Sequence, residues 1–116
     1  MIVLTLPMPP STNRLWRIAG KRLIRSEAYK SWQIEAGWII QGKKAAGRLR
    51  GLTGPYLLDI EAARGRRRDL DNIVKAASDI RVKQGVVRDD SDCAGLTMRW
   101  TDDLARGTIR VRVEEA

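Results

Sequence analysis

The chain has 116 residues, of which 43% are hydrophobic and 31% charged, and it carries a net charge of +8 with a pI near 10.4. This length supports one domain around a single modest core, and the composition excludes a disordered chain. The sequence has no histidine and a single cysteine, Cys93, which excludes histidine-based nucleophilic triads and argues against a structural zinc site.

The positive charge is unevenly distributed. Residues 1–50 carry ten Lys or Arg against two acids, whereas residues 51–116 carry twelve of each. A basic chain of this size indicates a polyanionic partner, usually nucleic acid; the alternative is that the basic residues only solvate the surface. The N-terminal apolar stretch is too short for a signal peptide or a membrane span. Because a lone cysteine fits a reducing cytosol, we expect a cytoplasmic protein without a membrane segment.

The first half of the chain predicts a strand, a hairpin and a helix. Residues 2–7 read as a strand that a proline-rich loop ends, and residues 15–26 predict a hairpin that turns at Ala19–Gly20. A helix is expected from Ser26–Glu27 onwards. Two apolar stripes recur along it at helical spacing: the first holds Tyr29, Trp32, Ala36, Ile39 and Ile40, and the second holds Ile34 and Trp38.

The second half predicts a strand over 56–64 and a helix over 70–83 that Gly85 ends. The expected packing face of this helix is Ile73, Ala76, Ala77 and Ile80. LTMRWTDD and GTIRVRVEE alternate like strands and predict a hairpin around residues 103–107. The sequence therefore predicts an α+β fold, a small mixed β-sheet with two main helices, in one domain spanning 1–116.

Residues 64–72, RGRRRDLDN, place four arginines beside two aspartates. Asp69 is expected where the strand passes into the helix, Asp71 in the first helical turn, and Asp90 after the Gly85 turn. Carboxylates are the hard ligands that Mg²⁺ prefers, so the three together predict a divalent metal site. Their convergence requires that the chain after Gly85 runs back along the helix.

Basic side chains flank these carboxylates. The planar guanidinium of arginine matches phosphate oxygens, so the run is predicted to bring phosphates towards the aspartates: Arg64, Arg66, Arg67 and Arg68. Lys75 lies one helical turn beyond Asp71 and would place an ammonium group near the same phosphate.

A structural interpretation of the same residues stays open. Four side chains at i, i+4 spacing form a salt-bridge ladder on a solvated helix face: Asp71, Lys75, Asp79 and Lys83. Asp69 is also a suitable N-cap. The arginines would then be solvated or paired with Asp59 and Glu61.

RRRDLDNIVKAASDIRVKQGVVRDDSD, together with the N-terminal LPMPPSTNR, resembles the RusA family of Holliday junction resolvases. The resemblance covers nearly the whole chain, and its central motif is long and ungapped. It implies a small homodimeric endonuclease that requires Mg²⁺, with Mn²⁺ as a substitute. Such an enzyme cuts four-way DNA junctions by symmetric paired nicks.

The resemblance also assigns roles to residues. Asp69, Asp71 and Asp90 correspond to the metal-binding catalytic carboxylates, and Lys75 corresponds to the catalytic lysine. Asn13 and Arg14 match the loop after the first strand and, with the arginine run, are expected to contact DNA.

One departure from the family concerns Ser78, which stands where an aromatic residue is expected, so junction handling differs if that aromatic helps to open the junction. Two alternative functions remain at this point. One is a branched-DNA or flap nuclease of broader selectivity, and the other is a junction-binding protein that does not cleave.

Overall fold

The computed structural model describes residues 1–10, 16–19, 22–25, 27–47, 51–64 and 70–116; for residues 16–19, 22–25, 70–72 and 90 it describes the backbone alone. The elements in chain order are β1 (Ile2–Pro7), β2 (Trp16–Ala19), β3 (Arg22–Arg25), α1 (Glu27–Ala45), β4 (Tyr56–Ala63), α2 (Leu70–Lys83), a 3₁₀ turn (Asp90–Asp92), β5 (Cys93–Thr101) and β6 (Thr108–Glu115). The predicted α+β fold, a mixed sheet with two main helices, is confirmed.

Four strands form the main sheet in the order β1-β6-β4-β5, and β2 and β3 form the separate hairpin that the sequence predicts. β6 pairs antiparallel with both β1 and β4, whereas β5 pairs parallel with β4. The predicted hairpin of β5 and β6 is therefore wrong, because β4 lies between these two strands. A parallel neighbour needs a crossover connection, and α2 is the helix of that crossover.

Both helices contribute to one core on one face of the sheet. The strand residues that face the helices are buried, as at Leu4, Ile60 and Val111, which is the alternation expected of a half-covered sheet. The first apolar stripe of α1 packs there, and its Trp32 indole donates a hydrogen bond of 2.8 Å to the Pro7 carbonyl. The second stripe remains exposed, since Ile34 is 58% and Trp38 76% accessible.

Helix α2 has the predicted bounds, and its four predicted packing residues are all buried. Burying this stripe against the sheet stabilises the helix more than its intrinsic propensity does. Near its C-terminus the buried Arg81 side chain lies over Tyr56, with the guanidinium carbon 5.0 Å from the ring centroid. Within the described ranges, no helix is long and apolar enough to cross a bilayer.

Two glycines differ in backbone conformation and give a matched test: Gly85 follows the end of α2, and Gly42 lies inside α1. Gly85 has φ +72° and a built Cβ would lie 2.9 Å from Lys44 Nζ, whereas a Cβ on Gly42, inside α1, meets open space. We expect Gly85→Ala to lower the free energy of unfolding by about 1–2 kcal/mol, because side chains are strained in this region. Gly42→Ala should raise it by about 0.5–1 kcal/mol, because alanine favours the helix interior. Urea unfolding measures both; two shifts of the same sign would contradict this account.

Candidate functional site

The parallel pair of β4 and β5 defines the two ends of the sheet where the candidate residues lie. At its amino end Tyr56 pairs with Cys93, and at its carboxyl end Ala63 pairs with Thr101. The arginine run leaves the pair at the carboxyl end. The segment that contains Asp90 enters β5 at the amino end. The distance between Asp71 and Asp90 therefore depends on how α2 connects these two ends.

Arg64 is the first residue of the arginine run and continues the pairing at the carboxyl end. Its backbone N–H donates to the Thr101 carbonyl at 3.0 Å, and its side-chain Nε donates to Asp102 at 2.9 Å. Both side chains of this ion pair are largely exposed, and such pairs contribute at most about 1 kcal/mol. A DNA phosphate can therefore replace Asp102 at low cost. Arg66, Arg67, Arg68 and Asp69, like Asn13 and Arg14, lie outside the described residues.

Asp71 and Lys75 occupy the beginning of α2. The Asp71 backbone lies in the first turn of the helix, and the exposed Lys75 follows one turn later. Further along, Asp79 accepts a hydrogen bond of 3.0 Å from the Tyr29 hydroxyl. Asp79 therefore joins α2 to α1, which a purely solvated salt-bridge ladder would not do.

Asp90 begins the 3₁₀ turn that leads into β5 at the amino end of the pair. Its acidic neighbours are held by contacts within the same turn. Arg88 bridges to Asp92 at 3.1 Å, and the Ser91 hydroxyl donates to Asp89 at 3.0 Å. These contacts engage Asp89 and Asp92 within the turn, and the role of Asp90 as a metal ligand stays a prediction.

The backbone places Asp71 and Asp90 towards opposite ends of α2. Arg81 lies against Tyr56, and Tyr56 pairs with Cys93, so the C-terminal end of α2 is at the amino end of the pair. Asp71 precedes Arg81 by ten residues, or about 15 Å of helix. After the Gly85 turn Val87 bridges to Leu52 instead of running back along the helix. Among the residues whose side chains are described, no three ligating side chains form a group, and the metal site stays a prediction.

An ion-pair network that the sequence analysis missed covers the face of the sheet away from the helices. Glu61, on β4, is only 4% exposed and lies beneath three arginines. Arg110 donates to its carboxylate at 2.8 Å, and Arg99 approaches it at 3.3 Å. Arg112 bonds to Glu61 and also to Asp59, at 3.1 Å. The sequence does contain a sign of this network: Asp59 and Glu61 are two residues apart in β4, and Arg110 and Arg112 are two residues apart in the strand that pairs with it.

This network bears on one of the open alternatives for Arg64, the member of the arginine run that the structure describes. Asp59 and Glu61 were candidate partners of the arginine run, but they are bound by Arg99, Arg110 and Arg112, while Arg64 pairs with Asp102. Burial alone would raise the pKa of the Glu61 carboxyl. The hydrogen bond from Arg110 and the charges of the three arginines outweigh burial and hold that pKa below its ordinary value of 4.5. The two acids of β4 thus stay ionised and engaged within the sheet.

The chain matches the family described as Endodeoxyribonuclease RusA over residues 7–114. The crossover junction endodeoxyribonuclease rusA of Enterobacteria phage HK97 is 33% identical over 114 residues, which cover 95% of this chain and 91% of that protein. The proteins of the same name from Enterobacteria phage 82 and Escherichia coli are 37% and 39% identical over 90 residues, covering 76% of this chain and 72% of each relative.

These matches, on a small mixed sheet with an arginine-rich segment at one end, define a class: the endodeoxyribonucleases that act on crossover junctions. Within that class the chain belongs to the RusA family, as the resemblance in its central motif predicted.

The buried carboxylate of Glu61 gives a prediction about acid stability. Because its folded pKa lies below 4.5, the stabilisation is fully present above that pH and is lost as the pH falls through the folded pKa. Glu61→Gln should lower the free energy of unfolding at pH 7 by about 1–3 kcal/mol. It should also reduce the loss of stability on acidification. Urea unfolding between pH 7 and 3 measures both, with the exposed Glu35→Gln as control; an unchanged acid dependence in Glu61→Gln would contradict the assignment.

Proposed function

We propose that this chain is a divalent-metal-dependent endonuclease that resolves four-way DNA junctions by paired symmetric nicks, in DNA recombination and repair. The observation that carries the proposal is the family match over residues 7–114, together with relatives named crossover junction endodeoxyribonucleases. The basic composition supports a DNA partner, and the absence of histidine leaves carboxylates and lysine for the chemistry.

In this proposal Asp69, Asp71 and Asp90 hold the metal. An all-carboxylate donor set fits Mg²⁺, with Mn²⁺ as a substitute, and does not fit softer metals. A bound divalent ion offsets the charge that develops on the phosphate and favours ionisation of water. Lys75, exposed one turn beyond Asp71, is proposed to place its ammonium group against the phosphate and the leaving oxygen.

The arginine run is proposed to hold the DNA backbone at the carboxyl end of the β4–β5 pair. Arg64 begins this run in an exposed pair that a phosphate can replace, and Arg66, Arg67 and Arg68 follow it in sequence. Asn13 and Arg14 are proposed as further DNA contacts. Because the network of Arg99, Arg110 and Arg112 already engages the acids of β4, these acids do not compete with DNA for the run.

The distance between Asp71 and Asp90 has a consequence for the proposed site. Asp71 lies at the start of α2 and Asp90 near its other end, and a separation on the order of the 15 Å between Asp71 and Arg81 is too long for two carboxylates on one metal ion. A two-fold junction cut at two places needs two active sites, and the proposed enzyme is a homodimer. We therefore propose that Asp71 of one copy and Asp90 of the partner subunit contribute to the same metal site.

The first experiment compares a synthetic four-way junction with a linear duplex of the same sequence, with Mg²⁺ or with EDTA, on a denaturing gel. We expect paired symmetric nicks in the junction only, and only with Mg²⁺. Asp71→Asn should reduce cleavage at least about 10³-fold while retaining or improving junction binding, because it removes both a ligand and a negative charge. Asp103→Asn, in the β5–β6 loop, is the matched control and should cleave normally.

The other outcomes identify the alternatives. Cleavage of flaps and other branched DNA as fast as of junctions would indicate a broader nuclease. Binding without a nick under any metal would leave a junction-binding protein. Wild-type cleavage by Asp71→Asn would remove Asp71 from the metal site.

Mixing two inactive variants tests whether the site is shared between copies. Asp71→Asn and Asp90→Asn are each expected to be inactive. If the two aspartates meet across the dimer, a mixed dimer keeps one intact site, so about a quarter of all sites recover after random exchange. We expect single nicks to reappear when the two variants are mixed, unfolded together and refolded. If both aspartates serve one metal within one copy, every site in the mixed dimer lacks a ligand and the mixture stays inactive.

A further inference from the structure

β5 is a nine-residue strand at the edge of the sheet, and no other described strand pairs with its outer side. The Thr101 carbonyl accepts its hydrogen bond from Arg64, on the β4 side. Since backbone groups alternate along a strand, those of Leu96, Met98 and Trp100 point away from β4. Among the described residues, no backbone group pairs with them from that side. Exposed edges of this kind pair readily with another strand.

The two edges of the sheet differ in how they are protected. At the opposite edge, on β1, the Lys43 ammonium donates to the Val3 carbonyl, and a lysine is one of the usual ways in which proteins close a sheet edge. On β5 the sequence CAGLTMRWT carries a single charge, Arg99, and that side chain is engaged with Glu61 and Asp59. As far as the described part of the chain shows, β5 is therefore the edge that is left able to pair.

We propose that β5 is the dimer interface and that it pairs antiparallel with β5 of a second copy about a two-fold axis. This inference rests on the homodimer of the proposed function and assigns its surface. Apolar side chains of β5 lie on the helix-covered face and small or polar ones on the other face. An axis at Thr97 or at Met98 therefore sets apolar residues opposite apolar residues in the two copies. It also sets Arg99 opposite Gly95 or Thr97, so that like charges do not meet.

Two exposed apolar side chains lie beside this edge. Leu57 is 40% and Leu96 49% exposed, and they line the β5 side of a cavity of about 640 Å³ that extends across the sheet to Met1 and also includes the charged Asp59, Arg99, Arg112 and Glu114. Pairing of the edges would bring the same surface of the partner beside it, which adds apolar burial to the backbone hydrogen bonds.

Antiparallel pairing of β5 also meets the requirement of the shared site. The Cys93 end of one strand then lies beside the Thr101 end of the other. Asp90, just before Cys93, is thereby carried to the end of the partner's sheet from which the partner's α2 starts. The exposed stripe of α1, at Ile34 and Trp38, is the other candidate interface. A dimer through that stripe would not by itself bring Asp90 towards the partner's α2, because the stripe does not lie on β5.

The test uses substitutions at one edge position, read by sedimentation velocity over a range of concentrations. Leu96→Pro removes an outward N–H, a change that a strand edge tolerates when that N–H faces solvent, and should give a monomer. Leu96→Val keeps both the N–H and the apolar side chain and should remain a dimer. Leu96→Lys, which sets cations near each other across the axis, should weaken dimerisation at least 10-fold and serves if the proline variant does not fold. Trp38→Lys, on α1, should remain a dimer.

Two results would overturn the interface. One is a Leu96→Pro or Leu96→Lys chain, folded by circular dichroism, that dimerises like the wild type. The other is dissociation caused by Trp38→Lys. A wild-type chain that is monomeric at every concentration and still makes Mg²⁺-dependent nicks in junctions would overturn the dimer and leave the proposed nuclease standing.

Discussion

The parallel pairing of β4 with β5 is the constraint on which the rest of the structure depends. Strands that run the same way must be joined by a crossover, and that crossover is α2, whose start carries the DLDN motif. The same pairing places Arg64, the first residue of the arginine run, at one end of the sheet and brings Asp90 in at the other. The separation of Asp71 from Asp90 therefore follows from strand direction together with the path of the chain after Gly85.

The local elements could be predicted well because local signals determine them. The bounds of α2 follow from the spacing of Ile73, Ala76, Ala77 and Ile80 and from the left-handed glycine after it. The order of strands could not be read in the same way, since a turn between two alternating segments is compatible with a hairpin and with two strands that leave a gap. β4 occupies that gap, and β6 pairs on its other side, where Ile109, Val111 and Val113 are buried and Arg110 and Arg112 reach the acids of β4.

The sequence proposes the residues of the candidate site, which stay a prediction, but it does not give their arrangement. The motif around Asp69 and Asp71 identifies the family, and the comparisons confirm that identification. Convergence on Asp90 depends on the path of the chain after Gly85, which the sequence leaves free, and in the fold that path leads to Leu52 and Tyr56. The Glu61 network was missed because its partners are far apart in sequence, although they pair across neighbouring strands.

The lysine that closes the β1 edge limits how far association can go. Two sheets joined through β5 form one continuous sheet whose outermost strands are both β1, and each of these presents the Val3 carbonyl already bonded to Lys43. In the proposed dimer, growth through β1 would therefore be disfavoured, and assembly would stop at two subunits instead of continuing into an open filament. The proposed dimer would thus remain a discrete particle with one two-fold axis, the symmetry expected of a four-way junction.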